Sequence, residues 1–526
     1  MSKPSGGKPR ETTRRLREDA APVTARKRKS AAAAGSPLRL ANGEAVGVVH
    51  LVAEYWPLAR TGGLAEAVSS LASYQAASGL QTCVILPLYR TVRRAAPHLE
   101  PVGPPFTVTV GPRRETARIH RVTPAGTGPQ VYCVEHNGYF DRPGLYGEWG
   151  ADYPDNARRF AFFCQAALTA MPTLAPGPHV LHAHDWHTAL APVYLRSIFA
   201  HDPYYRRLAA VLSVHNAGFQ GHFPFETLAD IGLPNELYDW RKMEWYGRVN
   251  FLKGGLIFSD AVTTVSPTHA HELRTAAGGF GLHEAFIALG DRLVGITNGI
   301  DFNVWNPADD PAIEAHYTRE NMSGKARCKA ALQRDFKLPE SPTTPLFGMT
   351  ARLVSQKGLD IILPGDLLHR EDTQFVFLGE GEARYERALK AFAAERPEHI
   401  AVETNFSDRV EHRLMAGADL FLMPSLYEPC GLTQMRAQRY GAIPVARRVG
   451  GLADTIEDGM TGFLFDEYSP EALALAVERA IQYYRDQESW QRMTSEAMAR
   501  DFGWARSEQK YGALYRRVVE ARPARG

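Results

Sequence analysis

VGVVHLVAE (46–54), GGLAEAVSSLASYQAASG (62–79) and LQTCVILP (80–87) follow one another with only short connections. The first and third are β-branched runs without polar alternation, the pattern of strands covered on both faces. The middle segment carries apolar residues at helical spacing and stops at Gly79. Strand, helix and strand in this order make a βαβ crossover, the building block of a parallel sheet.

The same grammar continues through the chain. VYCVEH (131–136), HVLHAH (179–184), AAVLSVHN (209–216) and AVTTVS (261–266) are further strand candidates in the first half. In the second half PLFGMTA (345–351), QFVFLGEG (374–381), HIAVET (399–404), DLFLMPS (419–425) and IPVARR (443–448) alternate with helical segments such as EARYERALKAFAAERP, RVEHRLMAGA and GLTQMRAQRYG. Pro307, Pro311, Pro339, Pro342 and Pro345 cluster between the halves. The fold class is therefore α/β, with two doubly wound Rossmann-like domains at 46–295 and 296–500. At 526 residues the chain exceeds what one hydrophobic core supports, which agrees with two domains.

Composition narrows the function classes. The net charge of +2 conceals a basic arm: residues 1–45 hold 11 Lys/Arg against 4 Asp/Glu, leaving a mildly acidic body. The arm lacks aromatic residues and apolar periodicity, so it is expected to be disordered. A polyanion-binding role around Arg26–Lys29 and an organelle transit peptide are the alternatives, the latter opposed by Glu11, Glu18 and Asp19. An acidic body does not suit nucleic acid, and no apolar run reaches the roughly 18 residues of a membrane span. Five cysteines, scattered without CxxC spacing, suit free thiols in a reducing cytosol. A cytoplasmic location is expected, or a plastid if the arm is a transit peptide.

Ligands of open α/β sheets sit beyond the carboxyl ends of the strands, so the residues following each strand carry the chemistry. In RTGGL (60–64), Gly62 and Gly63 allow close approach of a ligand, and Arg60 adds charge for a phosphate; such pairs also serve tight turns. HAHDWHT (182–188) crowds three histidines and an aspartate, but no acidic or thiol partner follows at metal-ligand spacing. Asp185 and His187 are better suited to hydrogen-bonding a polyhydroxylated ligand, while His182 also reads as a ring buried against Trp186. HNAGFQG (215–221) places His215 and Asn216 at another strand end. In TARLVSQKG (350–358), Arg352 and Lys357 beside helix amides suit a diphosphate, one as a fork and one as a point charge. SLYEPCGLTQ (425–434) sets Glu428 before a helix, a carboxylate for sugar hydroxyls beside the amides of Gly431, Leu432 and Thr433. RRVGGLADT (447–455) is read as a further turn closing the same cleft.

HAHDWH, HNAGFQG, AVTTVSPTHA, ITNGIDFNVWNP, RLVSQKGLD, AGADLFLMPSLYEPCGLTQ and RRVGGLADT stand in the order found in the bacterial glycogen synthase and plant starch synthase family. The chain resembles that family from about Val46 to about Tyr515. The resemblance implies the GT-B fold, two Rossmann-like domains facing across a cleft, with a C-terminal helix (501–526) packing back on the N-terminal domain. It implies that Arg352 and Lys357 grip the leaving diphosphate, that Glu428 holds the glucose, and that Cys430, Gly431, Leu432 and Thr433 shape the turn around it. His215 is expected to reach the transferring glucose through its 6-hydroxyl, with Asn298 near the same sugar and Asp185 and His187 on the sugar side.

Departures from the family pattern are few. Arg60 stands where the family has Lys, and Glu66 where it has Asp. Met435, seven residues after Glu428 where many related glycosyltransferases have a second Glu, is no departure: it resembles the synthase branch rather than the wider group. IILPGDLLHREDTQ (361–374) resembles a shortened family segment, interrupted by Pro364. The implied activity is transfer of glucose from ADP-glucose to the non-reducing end of an α-1,4-glucan with retention. The implied partners are a nucleotide-sugar and an α-glucan, with no metal or other cofactor; nothing in the sequence speaks to oligomeric state. Alternatives are a UDP-glucose-using or other GT-B transferase, or a glucan-binding pseudoenzyme.

Overall fold

The computed structural model describes residues 39–40, 43–96, 98–122, 128–148, 150–175 and 177–522. The basic arm, including the Arg26–Lys29 run, lies outside them apart from residues 39–40 and 43–45.

The first half builds a nine-stranded sheet. Its centre is β1 (Gly47–Leu51), fully buried, paired in parallel with β2 (Gln81–Pro87) so that Val49 faces Cys83. The crossover is helix α1 (Gly63–Ala77), which buries Leu64, Val68, Leu71 and Ala72 against the sheet. It ends as its sequence demands: Gly79 adopts φ +88°, and the Leu80 amide turns back to the Gln75 carbonyl at 3.0 Å.

Beyond β2 the sheet departs from the all-parallel expectation. β3 (Leu99–Val110) and β4 (Arg113–Val122) form a long hairpin that joins β5 (Gln130–Glu135) antiparallel. Pro101, Pro104 and Pro105 make this stretch look like a loop. An outermost strand tolerates them because its outer N–H groups have no ladder to complete, and the register slips between Val102 and Phe106.

On the other side of β1 lie β6 (Val180–His184), β7 (Ala209–Val214), β8 (Ala261–Thr264) and β9 (Leu293–Gly295), all parallel. The order β9-β8-β7-β6-β1-β2-β5-β4-β3 reverses direction between β1 and β6. The second half forms a six-stranded parallel sheet from β10 (Leu346–Thr350), β11 (Gln374–Leu378), β12 (Ile400–Glu403), β13 (Leu420–Met423), β14 (Ile443–Arg447) and β15 (Phe463–Phe465). Its order, β12-β11-β10-β13-β14-β15, reverses between β10 and β13, and helix α2 (Thr433–Arg439) follows β13. These two reversals are where open sheets leave a crevice for ligand.

Each sheet is covered by apolar side chains on both faces. The last helix, α3 (Trp504–Glu520), belongs in space to the first sheet: Trp504, Tyr511, Leu514, Tyr515 and Val518 pack with Val46, Val48, Val180, Val211 and Ala261. Pro364 lies in a break between a four-residue helix, Leu359–Ile362, and a 3₁₀ turn, Asp366–His369. No helix among the described residues is long and apolar enough to cross a membrane.

Candidate active site

A cleft of about 1020 Å³ opens between the two sheets. Every residue nominated from the sequence lines it: Arg60, Gly62, Gly63, Asp185, His187, His215, Asn298, Arg352, Lys357, Glu428, Cys430, Gly431, Leu432 and Thr433. The tertiary structure revises how several of them are used.

On the second sheet, Arg352 and Lys357 follow β10, and Glu428 follows β13, so the reversal brings the three together. Arg352 is exposed on the cleft wall, its guanidinium unpaired among the described residues. Lys357, at the end of a 3₁₀ turn, places its Nζ 2.6 Å from Glu428 Oε2, and the Ser425 hydroxyl donates to the same oxygen at 3.0 Å. The sequence reading kept these groups apart, the lysine for diphosphate and the carboxylate for sugar. In the structure they are bonded to each other, and Glu428 is buried.

The EPCG turn is held from behind. Gly431 sits at φ +68°, and a side chain there would collide with Gln434. The Gly451 amide donates to the Glu428 carbonyl at 3.0 Å, and a Cβ on Gly451 would meet the Cys430 carbonyl oxygen at 2.0 Å. The Gly450–Gly451 pair also meets the first half, where the Gly450 amide donates to Glu272 Oε1 at 2.8 Å. It lets one backbone press directly against the turn that carries Glu428. Burial pushes the Cys430 thiol up to about 12, so Cys430 shapes the turn as a neutral thiol.

On the first sheet, two amides of the RTGGL turn are already engaged. Glu54, the last residue of the opening VGVVHLVAE run, accepts from the Thr61 amide at 2.6 Å, the Gly62 amide at 3.2 Å, the Thr61 hydroxyl at 2.7 Å and the Tyr146 hydroxyl at 2.7 Å. Glu54 was missed, although its place just after β1 was the available signal. Gly62 and Gly63 have nothing within 4 Å of an added Cβ, so they face open space. Arg60 reaches across the cleft to Asp408 at 2.7 Å, lies 3.4 Å from Glu66, and stacks over Phe406. Glu66 in turn bonds Arg436 of α2, which also pairs with Glu411 and lies on Trp305. Arg60 and Glu66, which depart from the family pattern, thus meet the opposite half, in contacts between residues remote in sequence.

Asp185 and His187, both in the cleft lining, are also tied to neighbouring protein groups. Asp185 takes a left-handed backbone, φ +56°, and its carboxylate accepts from the amides of His215 at 2.7 Å and Asn216 at 3.3 Å, positioning the HN loop. Burial raises its pKa to about 7 against the pull of those two amides. His187 is stacked among Trp186, Tyr146 and Phe160, and burial lowers it to about 3, so the ring is neutral. Trp186 therefore packs on His187, whereas His182 packs against His50, His184 and Tyr515. His215 is held neutral by burial, its pKa lowered to about 4. Asn298 is buried at the cleft floor.

Two facing Rossmann-like sheets, with cations and a carboxylate at one reversal and a histidine at the other, define a glycosyltransferase of the GT-B fold. The starch synthase catalytic domain matches residues 47–288, and glycosyl transferases group 1 matches 332–499. The glycogen synthase of Anaeromyxobacter dehalogenans strain 2CP-1 is 43% identical over 484 residues, covering 90% of this chain and 100% of that protein. Glycogen synthase 2 of Geobacter sulfurreducens is 40% identical, covering 90% and 99%. The catalytic domain of starch synthase IV from Arabidopsis thaliana, bound to ADP and acarbose, superposes with a TM-score of 0.84 at 33% identity, covering 90% and 99%. Sucrose-phosphate synthase from Thermosynechococcus elongatus, at 16% identity and a TM-score of 0.57, shares the fold alone. The chain belongs to the glycogen and starch synthase family.

Proposed function

We propose that the protein transfers glucose from ADP-glucose to the non-reducing end of an α-1,4-glucan, with retention of configuration and without a metal. The observation that carries this reading is the meeting of Arg352, Lys357 and Glu428 at one sheet reversal, in the cleft that His215 lines. The Arabidopsis relative with ADP and acarbose supports an adenine nucleotide and a sugar chain as the ligands.

In the proposed step the bond from the glucose C1 to the diphosphate oxygen breaks while the acceptor hydroxyl oxygen bonds to C1 on the same face. The acceptor proton passes to the departing phosphate. Arg352 and Lys357 stabilise the charge that grows on the diphosphate, the kind of preorganised electrostatics that supplies most of a rate enhancement. Glu428, which shares Lys357, sits next to that diphosphate on the sugar side, and His215 takes a glucose hydroxyl. Closure of the two halves excludes water that would otherwise hydrolyse the donor.

The test is incorporation of labelled glucose into glycogen from ADP-glucose and UDP-glucose in parallel, with and without chelator. Faster turnover with ADP-glucose, an α-linked product by NMR and indifference to chelator are expected. Equal or faster turnover with UDP-glucose overturns the donor reading, and a β-linked product overturns retention.

A further inference from the structure

Behind His215 a chain of buried rings runs into the core of the first sheet. His215 Nε2 lies 3.1 Å from His184 Nδ1, His184 Nε2 lies 3.0 Å from His50 Nδ1, and His50 Nε2 lies 2.8 Å from Gln75 Oε1. His50, His184 and Gln75 are fully buried. We infer that Gln75 acts through this chain to fix which nitrogen of His215 carries the proton, leaving the other as a lone pair that accepts a hydrogen bond from a hydroxyl of the bound sugar.

The argument is one of donors and acceptors. A neutral imidazole has one N–H and one lone pair. An amide oxygen only accepts, so the proton of His50 is on Nε2 and its Nδ1 is a lone pair. His184 must then donate from Nε2, which makes its Nδ1 a lone pair. His215 must donate from Nε2 to meet it, and Nδ1 is left to the cleft. Burial keeps the rings neutral, with His50 and His215 lowered to about 4 and His184 well below its usual range. A second proton on any inner ring would set two donors face to face.

Gln75 is itself held by the other branch of the chain. Its Nε2 donates to the Tyr515 hydroxyl at 3.2 Å, which donates to His182 Nδ1 at 2.8 Å. His182 Nε2 then donates to the Ser213 hydroxyl at 2.7 Å, which lies 2.6 Å from the Thr263 hydroxyl. Every link runs in the same direction, so the polarity can reverse only as a whole. Such a chain is cooperative, each bond polarising the next. It also accounts for the clustering of His50, His182 and His184, one ring nitrogen of each lying within 4.8 Å of the others. All six ring nitrogens of the three are engaged in hydrogen bonds. Gln75, His50 and His184 are thus positioning residues for His215, and α3, through Tyr515, belongs to the same unit.

The sugar half of the inference rests on the proposed function; the tautomer half does not. Long-range ¹H–¹⁵N spectra of the full chain with labelled histidine, with His215 assigned by its loss in His215→Ala, read the tautomer without substrate. At pH 7 the wild type should show His215 protonated on Nε2 and bare on Nδ1; protonation on Nδ1 overturns the inference whatever the variants do. Gln75→Leu should give a mixture of both tautomers, with kcat down by about tenfold and donor KM within twofold, the loss of one oriented hydrogen bond. Gln75→Glu keeps an acceptor for His50 and should restore the Nε2–H form. An unchanged His215 spectrum in Gln75→Leu refutes control by Gln75. Adding ADP-glucose should move the Nδ1 resonance in the direction of an accepted hydrogen bond; a tautomer as inferred with no such movement refutes the contact with the sugar. Absence of glucose transfer with the tautomer intact refutes the proposed function instead.

Discussion

Lys357→Ala removes the ammonium that lies 2.6 Å from Glu428 and leaves a buried carboxylate with Ser425 as its remaining side-chain donor. At that distance two unit charges attract by about 6 kcal/mol at an effective dielectric of about 20. Desolvation and the partial exposure of Lys357, 20% against 9% for the Glu428 side chain, reduce the net cost of breaking the pair to about 1–3 kcal/mol. Lys357→Ala should therefore melt several degrees below the wild type, whereas Arg352→Ala, which breaks no pair, should not. Adding Glu428→Gln to Lys357→Ala removes the stranded charge and should recover most of the lost stability while recovering no activity. Calorimetric melts of the four proteins of the cycle, with glucose incorporation measured on the same samples, decide the matter. If the double variant melts no higher than Lys357→Ala, the carboxylate was never stranded and the electrostatic reasoning fails.

Arg352→Ala should fold normally and lose about 10²–10³ in kcat, the usual cost of removing one group that stabilises developing charge; steady-state kinetics with a loss below tenfold would refute that role. Arg60→Lys keeps the charge but not the fork that meets Asp408 and Glu66, in a pair about one-third exposed. Donor KM should change by less than about fivefold, and a collapse of activity would show that the guanidinium geometry is essential. Gly451→Ala drives a Cβ to 2.0 Å from the Cys430 carbonyl oxygen, so both melting temperature and activity should fall; Gly62→Ala, with nothing within 4 Å, should melt as the wild type and weaken donor binding only. Circular-dichroism melts and donor titrations separate the two cases. The neutral histidines predict acid sensitivity. His50 and His215 are lowered to about 4 and His187 to about 3, so below about pH 6.5 the unfolded chain takes up protons that the folded chain refuses. Asp185, raised to about 7, takes up a proton in the folded state over the same range and offsets about one of these histidines. Net stability should therefore fall from about pH 6.5 towards pH 4 by up to about 1.4 kcal/mol per pH unit for each histidine not so offset. A melting temperature that stays flat between pH 7 and 5 would refute this.

The α/β alternation and both sets of strand-end motifs were legible in the sequence because they are local. Two-faced burial leaves β-branched runs such as VGVVHL, and a ligand crevice at a sheet reversal leaves polar, glycine-flanked loops such as HNAGFQG and EPCGLTQ. Pattern and turn chemistry act over a few residues, so one chain suffices to read them. What depends on residues far apart was decided only by the tertiary structure. Whether Lys357 serves phosphate alone or also Glu428 depends on two loops 71 residues apart meeting at 2.6 Å. That Arg60 and Glu66 answer Asp408 and Arg436, some 350 residues on, cannot be seen in RTGGLAE. Pro101, Pro104 and Pro105 mask β3 in the sequence, and only its outermost position makes them harmless. In HAHDWH, Asp185 and His187 read as ligand-binding groups and His182 as a ring buried against Trp186, because a sequence lists side chains without their partners. Folding spends Asp185 on the HN loop, stacks His187 in an aromatic cage, and threads His182 and His184 into a hydrogen-bonded chain, since a buried polar group must find a partner wherever the fold brings one.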